Sequence, residues 1–308
     1  MNITFRHLTY FRALAAHRHF GRAAAAVSVS QPALSVQIRD LEAQLGQPLV
    51  ERRARDVVLT PFGRLILSHA EQVESSMRNL EEAARWHGGL SGLLRIGMIP
   101  TLAPYMLPGA LEALRSGDIS MDVQVQEAKT DRLTVDLLAG RLDAAVMALP
   151  VPGDGLIAQP LFEDRFLLAG SAARLAAVGA GAEALRPEGL GAQQLLLLED
   201  GHCLTDQALE ACRRGRGHAQ IDMGASSLAT LTQLVAAGFG LTLMPEIAAE
   251  AEVRGAPAVV LRRFDAPEPA RTICLVRRAS TLGDEWFGQL AEVLTAVGTG
   301  LTRAARRS

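Results

Sequence analysis

Phe20-Gly21-Arg22-Ala23-Ala24-Ala25-Ala26-Val27-Ser28-Val29-Ser30-Gln31-Pro32-Ala33-Leu34-Ser35 is the stretch on which the fold turns. Its first half makes a short alanine-rich helix, and Ser28 to Ser30 break it. A second helix restarts at Gln31, with Ser30 as N-cap and Pro32 tolerated in the first turn. Leu34, Ile38, Leu41 and Leu45 share one face and Gly46 ends the helix, while Gln31, Ser35 and Arg39 project from another face. Two helices joined by a short turn, the second amphipathic and polar at its start, have the form that enters a DNA major groove.

The flanks extend this reading. Leu8, Phe11, Leu14 and Ala15 predict a helix over residues 7–16. Pro48-Leu49-Val50-Glu51 and Val57-Val58-Leu59 alternate as a two-stranded wing around the basic tip Arg52-Arg53-Ala54-Arg55, which would meet phosphates or the minor groove. A small helical domain with a solvated charged loop is the bland alternative. Residues 1–64 hold nine arginines against four acids and the remainder is acidic, a basic head on an acidic body. Pro61 opens a long helix in which Ile66, Ala70, Val73, Met77, Leu80 and Ala84 step by four, three, four, three and four. This heptad seam predicts a homodimer with a modest interface. Gly88-Gly89-Leu90-Ser91-Gly92 then reads as a hinge.

From Leu93 strands alternate with helices. Strands are expected at Leu93 to Met98, Met121 to Gln126, Ala144 to Met147, Phe166 to Ala169, Leu195 to Leu198, Ala219 to Met223, Leu241 to Met244, Val259 to Leu261 and Ile273 to Val276. Helices are expected at Leu102 to Leu114, Thr134 to Ala139, from Cys203, at Leu228 to Ala237 and at Asp284 to Val297. Such alternation predicts parallel sheet with crossover helices, in two lobes joined by strands crossing near residues 163–168 and 264–271. Ligands of open α/β sheets bind beyond the carboxyl ends of strands, which puts Ile99-Pro100-Thr101, Ala128-Lys129-Thr130 and residues 200–203 at one cleft.

Within Leu198-Glu199-Asp200-Gly201-His202-Cys203-Leu204-Thr205-Asp206-Gln207, Cys203 falls in the first turn of its helix. Unpaired backbone N–H groups and the helix dipole favour thiolate there, and His202 can add a donor; Glu199, Asp200 and Asp206 oppose it. Cys212 lies nine residues on, on the opposite helical face. About 13 Å then separates the two Cα atoms, against a limit of about 7 Å for a disulfide. Oxidation that linked them would have to remodel the segment; two small apolar side chains filling a core is the alternative.

The 308 residues, 49% apolar, are enough for several domains. Three cysteines argue against a secreted disulfide scaffold, and no export signal or membrane-length apolar run is evident, so a cytoplasmic protein is expected, associated with the nucleoid if it binds DNA. Cys274, in an apolar strand, reads as packing. Thr101 and Thr130 read equally as helix caps. His17 and His19 do not share a helical face and suggest no metal site. Lys129, the only lysine, reads as a bias of codon usage.

Ala23-Ala24, Val29-Ser30-Gln31-Pro32-Ala33-Leu34-Ser35, Leu41-Glu42, Leu45-Gly46, Glu51-Arg52 and Thr60-Pro61-Phe62-Gly63 together resemble the head of LysR-type transcriptional regulators. The resemblance implies an α+β multidomain chain. A winged helix-turn-helix would cover 1–60, a dimerising linker helix 61–87 and a hinge 88–92. A two-lobed α/β regulatory domain like the periplasmic binding proteins would follow, with lobe I at 93–165 and 269–308 and lobe II at 166–268. It further implies a tetramer on double-stranded promoter DNA, with RNA polymerase as a further partner and no cofactor. Ser30, Gln31, Pro32 and Ser35 would meet the DNA from the helix, Arg53 and Arg55 from the wing.

Ile96-Gly97-Met98-Ile99-Pro100-Thr101, Glu127-Ala128 with Thr130, Leu198 to Cys212, and Arg271-Thr272-Ile273 are similar to the peroxide-sensing branch of that family. This implies that Cys203 reduces hydrogen peroxide and becomes a sulfenic acid that Cys212 resolves as a disulfide. Thr101 and Thr130 would orient the peroxide, with His202, Asp206 and Arg271 in support. Asp131 and Thr205 stand where relatives often carry histidine and arginine. Two other classes remain open: a LysR-type regulator of a small organic effector, and a thiol peroxidase, which would need no DNA-binding head.

Overall fold

The head's local signals translate directly into the computed structural model as α1 (Phe5–His17), α2 (Phe20–Ala26) and α3 (Gln31–Leu45). The structure describes residues 2–52, 56–85, 92–117, 121–179, 185–190, 195–213, 225–281 and 284–306. They form two units, Met1–Ala84 and Arg85–Ser308. Ser30 Oγ accepts the Ala33 N–H at 3.3 Å and Gly46 closes α3 at φ 76°. Leu34, Ile38 and Leu41 are fully buried with Phe11, Leu14 and Leu49. His19 caps α2, its Nδ1 accepting the N–H groups of Gly21 and Arg22 at 3.1 and 3.3 Å.

The wing pairs β1 (Val50–Arg52) with β2 (Val57–Leu59) antiparallel, Val50 opposite Leu59. Its tip, residues 53–55, lies outside the described residues. Thr60 caps α4 (Pro61–Arg85), its hydroxyl accepting the Gly63 N–H and donating to the Pro48 carbonyl, both at 2.8 Å. A Cβ at Gly63 would lie 2.0 Å from the Leu49 carbonyl oxygen, so only glycine lets α4 cross the wing here. The heptad seam divides in two. Ile66 packs on the head core and Ala70 is buried, whereas Val73, Met77 and Leu80 are 47, 44 and 65% exposed. Arg12 pairs with buried Glu74 at 2.9 Å across α1 and α4.

In the body, β3 (Leu93–Met98) lies between β4 (Asp122–Glu127) and β5 (Ala144–Ala148), parallel to both. Among the named strands of the described residues the remaining pairings are antiparallel, a correction to the expected all-parallel sheet, and the only further parallel contacts there are the single bridges Leu195 with Leu241 and Leu198 with Ala225. β9 (Ala270–Arg278) pairs antiparallel with β5 and with β6 (Leu156–Ser171); β6 also pairs antiparallel with β7 (Thr242–Pro245) and β8 (Val259–Arg263). The reason is the crossing itself. β6 pairs with β9 through residues 156–165 and with β7 and β8 through 166–171, and β9 returns the chain in the opposite direction.

The helices are α5 (Ala103–Gly117), α6 (Thr130–Leu138), α7 (Ala172–Gly179), α8 (Cys203–Ala211), α9 (Leu228–Ala236), α10 (Glu246–Gly255) and α11 (Asp284–Ala305). Helices α7 and α10 were not expected, α6 starts four residues before Thr134, and α11 continues past Val297. The expected strand Leu195 to Leu198 makes only two single bridges, Leu195 with Leu241 and Leu198 with Ala225. The expected strand at 219–223 and hinge residues 88–91 lie outside the described residues. Among the described residues no helix is long and apolar enough to cross a membrane, and no group of side chains would hold a metal ion.

Candidate functional site

Because β3, β4 and β5 are parallel neighbours, Ile99 to Thr101, Ala128 to Thr130 and Leu149 leave the sheet on one edge. Three hydrogen bonds from two side chains hold the segment around Cys203 to that edge. Lys129 Nζ donates to Glu199 Oε1 at 2.7 Å and to the Asp200 carbonyl at 2.8 Å; Gln207 Nε2 donates to the Leu149 carbonyl at 3.1 Å. Cys203, half-buried, is the first residue of α8 and lies between these anchors. It precedes Gln207 by one helical turn, so both side chains share the face turned to the strand ends.

Cys212 caps the other end of α8, 2% exposed, its N–H donating to the Ala208 carbonyl at 3.1 Å. The helix between is unbroken, so the Cα atoms stay about 13 Å apart on opposite faces. Cys203, Cys212 and Cys274 are all free thiols. Cys274, fully buried on β9, donates its Sγ hydrogen to the Met147 carbonyl at 3.4 Å. Burial first and neighbouring Cys203 second push its thiol up to about 12, as suits a packing residue.

On these elements, buried Thr130 Oγ1, His202 Nε2 and Gln207 Oε1 have no hydrogen-bond partner in the protein, and neither has Thr134 Oγ1, one turn beyond Thr130. Buried polar atoms left unbonded are costly, which makes these atoms candidates for bonding a guest. Thr130 is no cap. Lys129 holds the cap position of α6 and makes no side-chain cap bond. The Thr101 hydroxyl accepts from Arg271 Nη1 at 2.9 Å, and the Thr101 carbonyl accepts from Nη2 at 3.3 Å.

Arg271 is itself buried, its Nε donating to Asp164 Oδ2 at 2.9 Å across the paired crossing strands. It therefore reaches the site through Thr101. Burial pushes the Asp164 carboxyl up, against the pull of Arg271 and of the Ile247 N–H at 3.0 Å.

His202 precedes α8 as an N-cap without a side-chain cap bond, its Nε2 3.8 Å from Glu199 Oε1, too far for a hydrogen bond. Burial, then the Lys129 ammonium, push its imidazole below the ordinary 6.5, against a weaker opposite pull from Glu199. The ring is neutral at neutral pH and brings no positive charge to the thiol. Lys129 likewise holds the Glu199 carboxyl below its ordinary range. Asp206 is exposed on the first turn of α8. Buried Thr205 donates its hydroxyl to the Leu198 carbonyl at 2.9 Å, fastening the turn before the helix, and Asp131 is exposed on α6. Lys129 and Gln207 are the residues sequence reasoning missed. A lone lysine at the cleft, and a glutamine four residues after the thiol, were the available signals.

Two hollows, about 590 and 540 Å³, lie along α11 with Gln159 and at the junction of α10 with β8; neither includes a cysteine. On the head, Gln31, Pro32, Val36 and Arg39 are exposed and Ser35 is half-buried. Val36, 51% exposed, joins that face unforeseen. Arg53 and Arg55 lie outside the described residues.

A helix-turn-helix head and a body of two lobes on crossing strands define a bacterial regulator with a sensor domain. Residues 5–64 match the bacterial regulatory helix-turn-helix protein model of the lysR family, and residues 87–298 match the LysR substrate binding domain. The chain belongs to the LysR family of transcriptional regulators. It is 41% identical over 297 residues to the DNA-binding transcriptional dual regulator OxyR of Escherichia coli K12, covering 96% of this chain and 95% of that one. Among solved structures it resembles full-length OxyR from Pseudomonas aeruginosa, in a cysteine-to-aspartate form, at TM-score 0.71 and 32% identity (96% and 98% of the two chains). A hydrogen peroxide-bound cysteine-to-serine mutant of Corynebacterium glutamicum OxyR matches at TM-score 0.67 and 34% identity (100% and 96%).

Proposed function

We propose that this regulator senses hydrogen peroxide through Cys203 and Cys212. The observation that carries the reading is the setting of Cys203: a half-buried thiol at the start of a helix, facing an edge where Thr130 Oγ1, His202 Nε2 and Gln207 Oε1 lack partners. Hydrogen peroxide is small enough for such a site and both donates and accepts hydrogen bonds. The likeness to a peroxide-bound OxyR supports the same guest.

The chemistry balances in two steps. The Cys203 thiolate attacks one peroxide oxygen, the O–O bond breaks, and the departing hydroxide takes a proton and leaves as water. The Cys212 thiol then displaces the hydroxyl of the sulfenic acid as a second water, forming the disulfide. Thr130 and Thr101 orient the peroxide, with Arg271 fixing Thr101. His202 acts as a neutral hydrogen-bonding group, and Asp206 contributes its charge.

The disulfide cannot form on an intact α8, so oxidation unwinds it and repacks the second lobe. Val73, Met77 and Leu80 pair α4 with a second copy, the sensor lobes complete a tetramer, and the rearrangement repositions the heads on promoter DNA, within reach of RNA polymerase. Ser30, Gln31, Pro32 and Ser35 meet the major groove, Val36 adds an apolar contact of the kind a thymine methyl takes, and Arg53 and Arg55 meet the backbone. The protein acts in the cytoplasm, on the nucleoid. The test is a peptide map of reduced protein after a slight excess of hydrogen peroxide, with free thiols blocked before digestion. A Cys203–Cys212 cross-link is expected; an unmodified Cys203 at micromolar peroxide overturns the reading.

A further inference from the structure

We infer that Lys129, the chain's only lysine, is a positioning residue that latches the redox segment in its reduced geometry and sets the ease with which Cys203 and Cys212 become linked. The inference rests on the disulfide proposed above. Its structural basis is one side chain spanning two elements: Lys129 starts α6 in the first lobe, and its ammonium holds both the Glu199 carboxylate at 2.7 Å and the Asp200 carbonyl at 2.8 Å. The turn is shaped to receive it. Gly201 sits at φ 89°, and a Cβ there would come within 3.2 Å of the Lys129 Cδ.

Residues 199–201 lead directly into Cys203, and the side chain of the cap residue His202 makes no bond to α8. Bringing Cys203 to Cys212 requires the start of α8 to unwind, and its leading turn cannot leave while Lys129 holds it from the other lobe. The latch therefore weights the equilibrium toward the dithiol. With side chains 37 and 40% exposed, the pair is solvent-screened and its weight is modest, about threefold to tenfold.

The test is an equilibrium titration of the full-length protein in glutathione buffers. Each turnover takes two thiol hydrogens from Cys203 and Cys212, forms their S–S bond and splits one oxidised glutathione into two reduced ones. Lys129→Met is expected to raise the disulfide-to-dithiol ratio at a fixed buffer by about threefold to tenfold, and Glu199→Gln to raise it less, in the same direction. Lys129→Arg should restore the wild-type ratio to within about twofold. The shared direction is decisive. A field acting directly on the thiol would drive the two variants oppositely, because one removes a positive charge and the other a negative one. Opposite shifts, or no shift in either variant with a normal wild-type titration, overturn the latch alone. A wild-type protein that forms no Cys203–Cys212 disulfide at any glutathione ratio overturns the sensing reading and the latch with it.

Discussion

Helix α3 in the head and helix α8 in the body both begin where a function is expected, and they are built in opposite ways. The first has fifteen residues, a serine cap, proline in its first turn and a left-handed glycine at its end. The second has nine residues, starts at His202 without a side-chain cap and ends on Cys212. A helix that carries a recognition surface must hold its shape. One that must come apart is better short and uncapped, since few bonds and no caps resist its unwinding. What holds α8 comes from outside it: Lys129, the Leu149 carbonyl that receives Gln207 and the Leu198 carbonyl that receives Thr205.

The contrast can be broken most directly at Cys203. Cys203→Ser should abolish disulfide formation and the peroxide response while leaving DNA binding by the reduced form intact, measured by peptide mapping beside a promoter binding assay; a response that survived would make α8 an ordinary core helix. Next in size is Arg271→Ala, which leaves the fully buried Asp164 carboxyl without its partner. A loss of about 3 to 5 kcal/mol is expected in denaturant unfolding, confined to the transition of the body. A smaller change would mean that the crossing strands do not depend on this pair.

Ser30→Ala tests the capped helix and should lower stability by about 1 kcal/mol, with a matching loss of DNA affinity. Equal stability would show that tertiary packing alone holds α3. The smallest effect belongs to His202. Its proton affinity is lowered in the fold, so the neutral ring stabilises the native state above its ordinary value of 6.5, and that contribution is lost as pH falls below 6.5 toward the native value. His202→Gln should flatten this part of the stability profile; an unchanged slope would assign it to other groups.

Sequence legibility followed the same divide. Ser30, Pro32 and Gly46 placed α3 to the residue, and Pro61 placed the start of α4, because caps and periodicity act within a few neighbours. β3 was equally clear, its apolar run bounded by the sheet's own ends. The first half of β6 was not: residues 157–160 are exposed, the pairing with β9 shifts between Pro160 and Phe162, and no alternation marks a strand. Helices α7 and α10 were missed although Ser171, whose hydroxyl accepts the Arg174 N–H at 3.4 Å, opens the first and Pro245 and Gly255 bracket the second.

At the site, the cysteine pair and its nine-residue spacing were legible, since helical geometry alone separates the two thiols. By itself, the sequence determined the head, the linker helix, the family resemblance and the identity of the two cysteines proposed to be linked. Only the tertiary structure decided that His202 is neutral, that Arg271 works through Thr101 and that Lys129 clasps the redox turn. Those facts depend on burial and on partners 70 to 170 positions away in the chain, distances over which no local pattern of residues carries information.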